Sequence, residues 1–100
     1  MLASTPLIIA AMAATSPIAS DCRYEGIALQ GRVKEVTSFP DIRVQIVRSF
    51  ADIRVQRVTS FPDACGRWQF VDSFADFTIE YVESFPDIRV EYVTSFPGLR

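Results

Sequence analysis

The dipeptide Ser-Phe, followed by Pro or Ala, occurs six times in this 100-residue chain, at Ser38, Ser49, Ser60, Ser73, Ser84 and Ser95. Successive copies lie 11, 11, 13, 11 and 11 residues apart. A short, nearly constant period marks a duplicated structural unit, not a catalytic site. A unit of that length cannot bury an apolar face alone, so the copies must pack on one another around one shared core.

Each unit reads as a strand followed by a turn. Segments such as Asp41-Ile42-Arg43-Val44-Gln45 and Asp87-Ile88-Arg89-Val90-Glu91 are rich in β-branched residues and lack Gly and Pro. Prolines at 40, 62, 86 and 97 interrupt any continuous helix. Two apolar slots recur. One holds Val33, Val44, Val55, Trp68, Ile79 and Val90, and the other, three residues on, holds Val36, Val47, Val58, Val71, Val82 and Val93. A spacing of three puts the slots on opposite faces of a pleated strand, so either both faces are buried or a bulge separates them. Between them lies a slot of mixed character, with Glu35, Ile46, Arg57, Phe70, Tyr81 and Tyr92. That mixture predicts a rim of variable exposure.

Phe-Pro-Asp ends each strand. Proline presets its own φ for a turn, holds the preceding Phe extended and cannot donate to a ladder, and Asp is a good turn former. The six phenylalanines Phe39, Phe50, Phe61, Phe74, Phe85 and Phe96 are expected to form the core, each contributing about 1.5 to 3 kcal/mol when fully buried. A ligand-stacking stripe is the functional alternative. The third interval carries two extra residues around Gly66 and marks the point where three units hand over to three more. Strands at this spacing suit an all-β sandwich or barrel.

Residues 1–20 carry no charge and include the apolar run Leu7 to Ala14. Eight apolar residues are too few to span a bilayer but suit the core of a signal peptide, with Ala19 and Ser20 near the cleavage point. No Lys or Arg precedes Arg23, so the usual basic n-region is missing. The alternative is an apolar strand or helix docked on the domain. On the export reading, residues 21–100 form a single domain, and a Cys22–Cys65 bridge would close a loop worth on the order of 4 kcal/mol. Otherwise the two are separate buried thiols.

The units Val-x-Ser-Phe-Pro-Asp-x-Arg-Val, with the central variant from Cys65 to Phe74, resemble the septoil knot domain family of small bacterial proteins. The likeness covers Arg32 to Gly98. It implies an all-β, deeply wound chain of short strands that makes a seven-crossing knot, and it carries over no catalytic or binding residue. The family pattern is broken at Gly98, where the repeated Asp is replaced.

Little in the chain points to reaction chemistry. There is no His, which removes the commonest general base and metal ligand. No Gly-rich phosphate loop occurs, and two cysteines make no zinc site. The row Asp41, Asp52, Asp63, Asp76 and Asp87 would bind a hard cation such as Ca²⁺ if stacking gathered it, but turn-forming aspartates with Arg neighbours are the plainer expectation. Formal net charge is -2, which gives no footprint for nucleic acid. Residues 21–67 are net positive and residues 68–100 net negative, favouring docking of one half on the other. The expected function is a non-catalytic, exported structural or interaction domain of high kinetic stability, without cofactor or membrane span in its mature form. The alternatives are a Ca²⁺-binding module and a module that binds protein by strand addition or self-association.

Overall fold

The computed structural model describes residues 16–99, and the apolar run from Leu7 to Ala14 lies outside them. Within that span there are strands and turns and no helix. A small hairpin comes first, β1 (Arg23–Tyr24) and β2 (Ile27–Ala28). Its two-residue turn takes positive φ at both Glu25 and Gly26, the geometry whose twist matches paired strands. Six strands follow, one per repeat: β3 (Gly31–Glu35), β4 (Ile42–Ile46), β5 (Ile53–Arg57), β6 (Arg67–Phe70), β7 (Phe77–Tyr81) and β8 (Ile88–Val93). The last strand is β9 (Gly98–Leu99).

The repeat strands form a closed six-stranded barrel in the order β6-β3-β7-β4-β8-β5, with β5 returning to β6. All six barrel pairings are parallel. Strands of the first three units alternate with those of the last three, so the handover around Gly66 separates two interleaved halves. Beside β6, β9 covers the remaining edge of β5 in antiparallel pairing. Gly98, which breaks the repeat, gives β9 its backbone with φ 130°.

Adjacent strands are staggered by a constant amount. Val33 faces Phe77 and Ile79 faces Ile42, while Val44 faces Ile88 and Val90 faces Ile53. Each move to the next strand climbs two residues, and closure through β6, with Trp68 opposite Gly31, keeps that average. Stagger of this size tilts the strands steeply to the barrel axis. Residues one strand over and two residues further on therefore sit at one level. Val33, Ile79, Val44, Val90, Val55 and Trp68 make such a ring, and each is 0% exposed.

The first apolar slot of the repeat is thus the centre of the core. The second is not. Val36, Val47, Val58, Val71 and Val82 lie just beyond the strand ends and are half-buried, each donating its N–H across to a neighbouring strand's carbonyl at 2.8–2.9 Å. The second core layer lies two residues before the first, in Ile42, Ile53, Phe77 and Ile88, with 0–2% exposure. Ordinary strand alternation resolves the odd spacing of three, with one face buried and no bulge needed.

Gly31 and Gly66 take the remaining places in that layer and leave room below it. There Leu29, Ile18 and the Cys22–Cys65 disulfide close the barrel at the N-terminal ends of its strands. The Leu29 carbonyl accepts both the Gly66 N–H (2.9 Å) and the Trp68 indole N–H (3.1 Å), so the one buried indole is satisfied. A Cβ on Gly66 would lie 2.5 Å from the Arg54 carbonyl, which excludes other residues there. Ile18, assigned by sequence to the leader, is 5% exposed and belongs to this core.

Candidate functional site

The six repeated phenylalanines are not in the core. Phe39, Phe50, Phe61, Phe74, Phe85 and Phe96 are 76–97% exposed, against the expectation that they would fill the interior. Nor are they extended. All six are left-handed, with φ between 52° and 57°, although proline disfavours only the helical region for its predecessor. Proline is not the cause, since Phe50 and Phe74 precede alanine and share the conformation.

The physical reason is the crossing that five of the six corners make, all but the one at Phe61, whose flanking strands β5 and β6 are neighbours. Val36 bonds to Ile79 of β7 on one side of that strand, and Asp41 bonds to Thr78 on its other side. Four residues, 37–40, must arch over β7 between these anchors. A left-handed residue turns the backbone sharply enough to do so and throws its side chain outward. Since Phe39, Phe85, Phe50, Phe96, Phe61 and Phe74 each follow the level core ring by six residues, they repeat around the barrel as that ring does.

The aspartates clasp neighbouring strands. Asp41, Asp52, Asp76 and Asp87 accept the backbone N–H of Thr78, Arg89, Arg32 and Arg43 at 2.8–2.9 Å. The same aspartates donate their own N–H to the carbonyls of those residues at 2.7–3.2 Å. Each carboxylate stands in for the carbonyl of an absent strand partner. Arginine side chains take no part in this; the recurrent Arg-Val position contributes its amide. Asp63 differs: its carboxylate pairs with Arg67 at 3.8 Å on the surface, and its N–H bonds the Phe61 carbonyl within its own corner at 2.8 Å. The structure does not gather the five aspartates, and no cluster of three metal-ligating side chains occurs among the described residues.

The third candidate is the slot of mixed character. Two residues beyond the level core ring, Glu35, Tyr81, Ile46, Tyr92, Arg57 and Phe70 surround the barrel mouth at the C-terminal ends of the strands. The Arg57 guanidinium lies 4.4 Å from the Tyr92 ring centroid and 4.9 Å from that of Phe70. It also donates to the Tyr81 hydroxyl at 3.4 Å, and the Tyr81 and Tyr92 hydroxyls are 2.6 Å apart. Burial, reinforced by Tyr81 and opposed by Arg57, pushes the Tyr92 phenol well above its ordinary range. Tyr92 therefore stays protonated, and Arg57 and Glu35 are the charged residues of the mouth ring.

A closed parallel barrel built from interleaved repeats, with a disulfide across its closed end, defines a repeat-built β domain. Its family follows from comparison with known proteins. The 7(1) septoil knot domain matches residues 26–100, and the chain belongs to that family. No curated protein matches it.

Proposed function

We propose that this chain is an exported, non-catalytic structural or interaction domain that resists unfolding and associates with further copies of itself through its outward phenylalanines. The observation that carries this reading is the six phenylalanines, exposed and held in a conformation costing about 1–2 kcal/mol each. Exposed apolar side chains retained at a backbone cost point to contact with a partner. A second copy fits because each barrel offers the same tip on every side, and the net charge of -2 opposes contact only weakly.

Export is supported by the Cys22–Cys65 disulfide, which suits an oxidising compartment. A signal cleavage ahead of Ser16 would keep Ile18 in the core. Slow unfolding is supported by pairings between residues 37 or 44 apart, since such non-local contacts must be lost together. Strand addition has less to recommend it, because barrel closure leaves the repeat strands without a free edge.

Sedimentation velocity across a concentration series tests the reading. The native chain should show reversible, concentration-dependent association, and a variant with all six phenylalanines changed to Gly should sediment as a folded monomer. A native chain that stays monomeric at millimolar concentration overturns self-association.

A further inference from the structure

The most varied slot of the repeat, with five residue types at its six positions, is the ring at the barrel mouth. The core ring is Val or Ile except at Trp68, the corners are Ser-Phe throughout, and the aspartates recur five times. At the mouth, in circular order, stand Glu35, Tyr81, Ile46, Tyr92, Arg57 and Phe70. Packing alone does not call for this set. The opposite end of the barrel is filled by Leu29, Ile18 and the disulfide, whereas this end is open, with Ile46 52% exposed.

Arg57 is the centre of the arrangement. Its guanidinium stacks on Tyr92 and Phe70 and spends one donor on the Tyr81 hydroxyl. It forms no ion pair with a carboxylate among the described residues. Stacking occupies the faces of a guanidinium and leaves its N–H edge available, and that edge matches a carboxylate bidentately. Beside it an open depression of ≈ 380 Å³ is lined by Gln56, Arg57, Tyr92, Val93 and Thr94.

We propose that this mouth binds a small aromatic monocarboxylate, its carboxylate on the Arg57 edge and its ring in the depression beside Tyr92. The paired Tyr81 and Tyr92 hydroxyls add hydrogen-bonding groups beside it. Glu35, on the far side of Phe70 in the ring, disfavours a second anionic group and so selects against polyphosphates. The site is independent of the phenylalanine corners, which lie outside the barrel.

Benzoate is the probe, with benzamide as its neutral isostere and phenyl phosphate as the dianion. Titration of the full oxidised chain, followed by NMR, should shift the Arg57 side-chain N–H and the Phe70 and Tyr92 ring signals. Benzamide and phenyl phosphate should bind at least tenfold more weakly. Arg57→Met should abolish the shifts, and Arg57→Lys, which keeps the charge without the planar fork, should weaken binding about tenfold. Glu35→Gln should leave benzoate binding intact while narrowing the gap to phenyl phosphate. A thermal melt of each variant establishes that it is folded. Equal binding of benzoate and benzamide, shifts away from the mouth, or full binding by folded Arg57→Met overturns the proposal.

Discussion

Replacing Phe39 by Gly should stabilise the protein. The side chain is 97% exposed, so its removal forfeits almost no burial. Its φ of 52° costs a non-glycine residue about 1–2 kcal/mol. Glycine pays nothing for that conformation but loses more chain entropy on folding, about 0.5–1 kcal/mol. The difference is a gain of roughly 0.5–1 kcal/mol, which for a domain of this size raises Tm by several degrees. Phe77→Ala supplies the contrast: that ring is 2% exposed and meets Trp68 edge-on at 5.5 Å, so the substitution should cost about 3–5 kcal/mol. Both numbers come from guanidinium denaturation of the oxidised chain, by unfolding rate where equilibrium is slow. If Phe39→Gly destabilises by 2 kcal/mol or more, on the order of a buried side chain, the corner phenylalanines are packed and not turned to solvent.

Asp87→Ala should lower stability by about 1.5–3 kcal/mol, because it strands the Arg43 amide, while Asp63→Ala should cost under about 1 kcal/mol for its exposed ion pair; equal losses in thermal melts would refute the clasp. Reduction of the Cys22–Cys65 bridge, or its replacement by Ser, should cost on the order of 4 kcal/mol and expose the Trp68 indole to quenchers, and unchanged fluorescence would show that the barrel end stays closed without it. The Tyr92 phenol is raised in the folded state from an ordinary value of 10.0, so its stabilising effect is complete below pH 10 and is lost as the pH climbs towards the folded value. Alkaline melts should accordingly show a decline above about pH 10 that is smaller in Tyr92→Phe; identical declines would remove Tyr92 as its source.

The all-β architecture, the 3 + 3 division and the apolar slot at Val33, Val44, Val55, Trp68, Ile79 and Val90 were legible in the repeat, but that this slot and not its neighbour three residues on forms the core was not. Nor was the fate of the phenylalanines. Hydrophobicity argues for burial, and only the crossing geometry, in which residues 37–40 must pass from one side of β7 to the other, turns Phe39 outward. Aspartate was read as a turn former from its own segment. Its carboxylate serves a strand 37 or 44 residues away, and no local pattern encodes that distance. Parallel pairing was equally hidden, since strand propensity says nothing of direction. The mouth residues did leave a trace: theirs was the slot that would not conform, which in a repeated sequence is itself information.

Alternation of the two halves around the barrel has a consequence for synthesis. While only the segment up to Arg57 has emerged, β3, β4 and β5 have no neighbour to bond with, because each is flanked by later strands, β6, β7 and β8 and, for β5, β9 as well. A nascent chain would carry three unsatisfied β segments until its second half arrives to lie between them, so the earliest translated repeats must wait, and the domain assembles only from a nearly complete polypeptide.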